Sequence, residues 1–264
     1  MTPPPSDLLL QTAADAVRAA GRHALENRGR CREYVERSAH DVKLALDLEC
    51  QRVAEAVIAR AWPRPRVLGE EGGSGAGPDE LVWVIDPIDG TVNFSHGMPL
   101  WCSSVAVLRA GETLAGAVFV PDLDELYTAA WDGPPERNGA RIAVSDTDRL
   151  AEAMILTGVS KHMDSNPEAL RFMAAIAARA QKVRVMGAAA VDICHVACGR
   201  ADGYFESSIY LWDVAAAGLV ARRAGGRAEI LHSFSAVHLQ YLCTNGRIHG
   251  ELKALVAGNP GRAS

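Results

Sequence analysis

The chain has 264 residues, of which 48% are hydrophobic, 22% charged and 6% aromatic, a balance that excludes a disordered, fibrous or membrane-embedded chain. Twenty-seven Lys and Arg against 32 Asp and Glu leave a formal charge of −5 with no basic block, so neither nucleic acid nor an acidic membrane surface is an expected partner. No apolar run reaches the roughly 18 residues of a membrane span, and the N-terminus MTPPPSDLLLQTAADAV lacks the charged-then-apolar order of a signal peptide. A cytoplasmic location is therefore expected, and the six scattered cysteines are expected to be reduced, buried thiols. Cys194-His195-x-x-Cys198 places two thiols one helical turn apart, but no second Cys/His pair at matching spacing completes a zinc set, which favours packing of an Ala-rich helix.

In chain order, residues 6–28 predict an amphipathic helix with Ser6 or Asp7 as N-cap and Leu9, Leu10, Ala13, Ala14, Val17 and Ala20 on its apolar face. A second helix over 47–61 uses Leu48, Val53, Val57 and Ile58 and stops at Pro63-Arg64-Pro65. GEEGGSGAG at 69–77 reads as a flexible loop, and Leu81-Val82-Trp83-Val84-Ile85 as a buried strand ending in Asp86-Pro87. Segments 100–108, 113–120 and 125–131 predict an antiparallel meander, with a turn over 132–140. The second half alternates helix 167–181, strand 183–186, helix 187–200, strand 203–206, helix 212–224 and strands 227–231 and 240–244, which is the α/β class. One compact unit with two lobes is expected, 1–150 and 151–264, divided where the composition shifts near 145–165.

The chemistry sits in Asp86-Pro87-Ile88-Asp89-Gly90-Thr91, at the C-terminal end of a buried strand, where open α/β folds place ligands. Pro87 fixes a bend that lets the Asp86 and Asp89 carboxylates converge and leaves the Ile88 carbonyl to turn inward, a hard-cation donor set. Gly90 permits close backbone approach, and a helix or turn starting at Thr91 presents free N–H groups to an anion such as phosphate. Asp-Pro and Asp-Gly pairs also occur as plain turn chemistry. Two further acidic positions favour the metal reading: Glu70-Glu71 in the glycine loop, and Asp213 at the start of a helix. Acids gathered at one point repel unless divalent cations neutralise them, and Mg²⁺ takes carboxylates together with substrate phosphate.

Gly69-Glu70-Glu71, then WVIDPIDGTVNF at 83–94, then Trp212-Asp213-Val214-Ala215-Ala216-Ala217-Gly218 resemble the signature motifs of the inositol monophosphatase family, in the family order and across nearly the whole chain. Asp41-Val42-Lys43-Leu44-Ala45-Leu46-Asp47 occupies the place of the family's early aspartate segment. The resemblance implies a layered αβαβα sugar-phosphatase fold and a homodimer that hydrolyses small phosphate monoesters with two or three Mg²⁺ ions, sensitive to Li⁺. It implies that Glu70, Asp86 and the Ile88 carbonyl ligate one metal, and that Asp86, Asp89 and Asp213 ligate a second, with Glu70 also near a third. Asp47 and Thr91 match the pair that orients and deprotonates the attacking water, and Gly90 and Thr91 match the phosphate clamp. Gly187, Ala188 and Glu206 match positions that line the pocket for the alcohol, alongside Asp89 and Asp213.

The chain departs from the family pattern in three places. Leu44 and Leu46 stand where many members carry threonine, Gly187-Ala188 stands where Gly-Thr is common, and Tyr210 stands where mammalian members carry histidine. The alcohol side is thus altered while the metal side is intact. The expected substrate is a small phosphorylated polyol or amino alcohol, with inositol monophosphate first. Histidinol phosphate is the runner-up, and fructose-1,6-bisphosphate and 3′-phosphoadenosine-5′-phosphate are activities of other members. A regulatory binding protein on this fold is the reading from a different class. Trp83 and Trp212 are expected to pack beside the acids, and His96 and Arg222-Arg223 to be incidental surface groups; the sequence gives little support to a reach of the loop residues Lys161-His162 into a neighbouring subunit's pocket.

Overall fold

A computed structural model describes residues 5–37, 42–73, 80–159 and 168–257. In chain order the elements are α1 (Ser6–Glu26), β1 (Tyr34–Arg37), β2 (Val42–Leu44), α2 (Ala45–Ala61), β3 (Arg66–Gly69), β4 (Gly72–Gly73), β5 (Val82–Asp89), α3 (Thr91–Ser95), β6 (Cys102–Arg109), β7 (Glu112–Val120) and β8 (Glu125–Ala130). There follow β9 (Glu136–Arg137), β10 (Ala140–Arg141), β11 (Met154–Thr157), α4 (Glu168–Ala177), β12 (Lys182–Arg184), α5 (Ala189–Ala197), β13 (Gly203–Tyr210), α6 (Leu211–Arg223), β14 (Arg227–Ser233), β15 (His238–Thr244) and α7 (His249–Ala257).

Two sheets carry the fold. The larger has eight strands in the order β10-β9-β8-β7-β6-β5-β3-β4, and the smaller has five in the order β12-β11-β13-β15-β14. β5, β6, β7 and β8 form the expected antiparallel meander, whereas β3 lies parallel to β5 and β11 lies parallel to both β12 and β13.

Alternation along the strands distributes the apolar side chains into three layers of core. Trp83 and Ile85 of β5 face α1 and α2, with Leu9, Ala13, Val17, Ile58 and Phe119. Val84, between them in sequence, faces the opposite side, where α5 and α6 pack between the two sheets with Val118, Val191, Val220, Tyr204 and Tyr241. Phe205 and Leu242 of the smaller sheet face outward onto Phe172 of α4 and Leu252 and Val256 of α7. The layer order is therefore αβαβα, the sugar-phosphatase arrangement.

Several local expectations are corrected. α1 has Pro5 as its N-cap with no side-chain cap, because the Ser6 hydroxyl donates to Asp132 at 3.0 Å. The buried stripe of α2 runs through Leu46, Cys50, Ala54 and Ile58, and Leu48, Val53 and Val57 are half-buried. The glycine-rich segment contributes β3 and the short β4 beyond Gly69-Glu70-Glu71, rather than a loop alone. Strand β13 extends to Tyr210, and helix α5 is confined to Ala189–Ala197. α7 and the β1–β2 pair had no counterpart in the expected elements. Asp41, residues 74–77 and Lys161-His162 lie outside the described residues. No helix among the described residues is long and apolar enough to cross a membrane.

Candidate active site

β5 ends in an irregularity that creates the site. Side chains alternate along a strand, so residues three apart point to opposite faces. In this pair Asp86 faces Ser104 and Asp89 faces Cys102, so three steps along β5 answer two along β6, a one-residue bulge. The extra residue sends Ile88 into the core beneath α1 and α2 and returns Asp89 to the face that carries Asp86. Pro87 suits this interruption because it has no N–H to leave unpaired, while its carbonyl accepts from Ser103 Oγ at 2.7 Å.

Asp86 is 1% exposed and Asp89 8%. Each carboxylate is held by backbone amides: Ile88 N donates to Asp86 Oδ1 at 3.1 Å, while Ala189 N and Ala190 N donate to the two Asp89 oxygens at 3.2 and 2.7 Å. The Cys102 thiol adds a contact to Asp89 Oδ2 at 3.6 Å. Asp213 is the third residue of α6 and accepts from its N-cap, Tyr210 N, at 2.9 Å. One ligand atom each from Asp86, Asp89 and Asp213 lies within 4.8 Å of the others, so the three can share an ion. Burial, followed by the charges of Glu70, Asp89 and Asp213, raises the Asp86 carboxyl well above its ordinary value. Burial pushes Asp89 up to about 6 against the opposing hydrogen bonds of Ala190 and Ala189. A hard divalent cation relieves both, because it supplies the positive charge this oxygen donor set lacks.

These acids form one end of a cavity of about 270 Å³. Glu70 joins them on the turn after β3, where its backbone N–H donates to the Ile85 carbonyl at 3.3 Å. The adjacent Glu71 pairs with Lys43 of β2. Gly90 and Thr91 line the same end. Gly90 has φ +85°, and a Cβ there would come within 3.0 Å of Ala188 Cβ, so the left-handed turn and the close approach both call for glycine. The Thr91 hydroxyl donates to the Ile88 carbonyl at 2.9 Å, and the second lone pair of that oxygen remains for another partner. Asp47 is 2% exposed at the third position of α2, accepts from Leu44 N at 2.7 Å, and is not among the residues lining the cavity.

The rest of the wall is built from more distant segments, with Ala188 closing against Gly90. Gly158, Val159, Val185, Gly187, Ala188 and Glu206 meet there, joined by Asp192, Ser208 and Tyr210. Glu206 accepts the Tyr204 hydroxyl. A Cβ on Gly158 would meet a Glu206 carboxylate oxygen at 2.1 Å, so this wall closes only around glycine. Tyr210 is fixed by stacking on Trp212, with centroids 4.9 Å apart and planes 3° apart, and on His238 at 5.2 Å. Asn93 joins the two ends, donating to the carbonyls of Leu100 at 2.7 Å and Met186 at 2.8 Å. Among the described residues no Lys, Arg or His lines the cavity.

Every substrate-side residue expected from sequence thus borders this cavity. Asp192, Asn93 and Ser208 were missed as lining residues; the one available signal was an aspartate inside the apolar stretch Ala190-Val191-Asp192-Ile193. Trp83 is buried against Trp62, His96 is exposed outside the cavity lining, and Arg222 and Arg223 are exposed. Cys194 is packed in the core beside α6 and Cys198 is half-buried, 3.9 Å from the Tyr127 hydroxyl.

The model of the inositol monophosphatase family matches residues 6–258. The inositol-1-monophosphatase of Synechocystis is 35% identical across 97% of this chain and 92% of its own length. The Nus factor SuhB of Xylella fastidiosa is 36% identical across 86% of this chain and 82% of its own. Among solved structures, the inositol monophosphatase of Anabaena superposes with a TM-score of 0.82 at 32% identity, covering 94% of each chain, and that of Thermotoga maritima with 0.83 at 30%, covering 94% and 96%. With the family signature residues gathered at one end of a single cavity and these relatives matched along almost the whole chain, the protein belongs to the inositol monophosphatase family.

Proposed function

We propose that the chain is a Mg²⁺-dependent hydrolase of phosphate monoesters, with inositol monophosphate as substrate. The convergence of the Asp86, Asp89 and Asp213 carboxylates within 4.8 Å, beside Glu70 and the Gly90–Thr91 turn, carries this reading. Glu70, Asp86, Asp89, Asp213 and the Ile88 carbonyl hold two or three ions, whose chemistry when bound is Lewis acidity toward the attacking water and the leaving oxygen. The chain's own residues do the rest. Asp86 and Asp89 are held in place by amides of the neighbouring backbone, so the donor set is built before substrate arrives. The backbone at Gly90 and Thr91 receives the phosphate; the Thr91 hydroxyl orients the attacking water in line by accepting its proton and passing its own to the Asp47 carboxylate, the base of the pair. No covalent intermediate is required, because water is the nucleophile in this reading. Glu206 pairs with hydroxyls of the departing alcohol, with Gly187 and Ala188 shaping the wall around it. The homodimer, which rests on the family resemblance, and the cytoplasmic location expected from the sequence belong to the same proposal.

The test is phosphate release with Mg²⁺ from inositol-1-phosphate, histidinol phosphate, fructose-1,6-bisphosphate and 3′-phosphoadenosine-5′-phosphate, each repeated with Asp89→Asn. Preference for inositol-1-phosphate that disappears in the variant is the expected result. Preference for histidinol phosphate moves the substrate to the amino-alcohol branch. No turnover of any substrate overturns the enzyme reading and favours a regulatory binding protein; the Xylella relative is named a Nus factor.

A further inference from the structure

Asp192 is a buried carboxylate that the metal cluster does not use. It lies in the first turn of α5, is 1% exposed and borders the alcohol end of the cavity. Its Oδ1 has no hydrogen-bond partner. Burying an acceptor without a donor costs about 1–3 kcal/mol, and more for a charged group, so such an oxygen is rare unless something completes it. The protein offers little to do so: no Lys, Arg or His lines this cavity among the described residues, and the nearby Tyr204 hydroxyl is committed to Glu206. Among the described residues, the acids whose ligand atoms all lie within 4.8 Å of one another are Asp86, Asp89 and Asp213, and Asp192 is not one of them.

The position of Asp192 is also controlled. The turn that carries it donates Ala189 N and Ala190 N to Asp89, so the α5 N-terminus ties this carboxylate to the metal end. Glu206 faces it from β13, and these two acids raise the Asp192 carboxyl further after burial has done so. Two carboxyl groups on one wall, with hydrogen-bonding capacity left at Asp192, match a leaving group that carries more than one hydroxyl.

We propose that Asp192 is a specificity-determining residue, its carboxyl hydrogen-bonding one hydroxyl of a polyhydroxylated leaving group while Glu206 takes another. This rests on the phosphatase reading above and narrows its substrate class. Simple phosphate esters with no hydroxyl on the leaving group leave Asp192 unsatisfied at the moment of binding, and the site discriminates against them for that reason.

The experiment compares wild type, Asp192→Ala and Asp192→Asn on inositol-1-phosphate, histidinol phosphate and p-nitrophenyl phosphate, whose leaving group has no hydrogen-bond donor of its own. With Asp192→Ala, KM for inositol-1-phosphate rises about 10- to 100-fold more than KM for p-nitrophenyl phosphate, the range of one hydrogen bond to a charged group. Asp192→Asn, which keeps a carbonyl oxygen at the site, loses less. The melting temperature of Asp192→Ala without substrate is unchanged or higher, because an unsatisfied buried group has been removed. Equal losses on inositol-1-phosphate and p-nitrophenyl phosphate overturn the proposal, as does no loss on either. A melting temperature lowered in both variants overturns it too, since that places the carboxyl partner within the protein. Excess loss confined to histidinol phosphate replaces hydroxyl recognition by amine recognition and overturns it as stated. Failure of the underlying phosphatase reading is distinguishable, because wild type then releases no phosphate from inositol-1-phosphate before any variant is considered.

Discussion

The two ends of the cavity are made in different ways. At the metal end, Asp86 and Asp89 lie on one strand and are brought to one face by a single bulge, and Asp213 is set by a hydrogen bond to an amide three residues away. On the alcohol side, Gly158, the Ala188–Asp192 start of α5, and Glu206 and Tyr210 of β13 come together from segments far apart in sequence, with Gly158 closing against Glu206. Under the proposed function, local geometry sets the chemical step and tertiary assembly sets which alcohol leaves. Changes at the first end are therefore expected to act on every substrate alike, and changes at the second to act on one substrate more than another.

The largest effect expected is that of Asp89→Asn, which removes a charge from the shared ion site. Turnover of all substrates falls by more than about 100-fold, beyond the loss typical when only a supporting partner of a metal ligand is removed; measured phosphate release checks it, and a loss on one substrate alone would break the comparison. Gly158→Ala comes next. Its added Cβ forces Glu206 aside, so KM for inositol-1-phosphate rises about tenfold while p-nitrophenyl phosphate is affected less, the size of a single pocket contact. Gly90→Ala puts a side chain at φ +85° and against Ala188, which destabilises the fold by about 1–2 kcal/mol, read as a lower melting temperature. The smallest effect is a pH dependence of the metal-free protein. Asp89 is held up at about 6 in the fold against 3.8 for the ordinary carboxyl, so between these values the native state binds more protons than the unfolded one and stability falls as pH rises. The melting temperature without metal is expected to be lower at neutral pH than in mild acid, and the stabilisation produced by added Mg²⁺ to be larger at neutral pH, where protons no longer compete.

The same contrast explains what could be read from the sequence. DPIDGT, Glu70 and WDVAAAG are short segments whose residue types, order and turn chemistry carry their meaning, and the structure gathers their acids at one end of one cavity. The meander was equally legible, because β6, β7 and β8 are apolar runs with turns between them. Asp192 escaped notice because nothing in an apolar helix marks whether its one acid faces water, a partner or a cavity. The β1–β2 pair escaped because all four residues of β1 are exposed, so no apolar alternation exists to detect. Leu252 and Val256 of α7 and Ile248 just before it do recur at helical spacing, but the segment is short and its burial depends on α4 and β15 covering that face. Asp47 is the instructive intermediate. Its type and spacing matched the family, yet the structure seats it behind the cavity lining, in a backbone hydrogen bond to Leu44 that also caps α2.

The bulge in β5 gives the segment from Asp86 to Asp89 a reading frame. Because facing is decided by parity, straightening the strand while three steps still separate the two aspartates exchanges the destinations of Ile88 and Asp89: the isoleucine turns into the cavity and the carboxylate into the layer of Trp83, Ile85 and Phe94 beneath α1 and α2. Such a change deletes no functional group, yet it takes a carboxylate out of the acidic cluster, buries its charge and leaves a greasy plug in its place. In this protein the bulge in that stretch matters to the site as much as the identity of its residues.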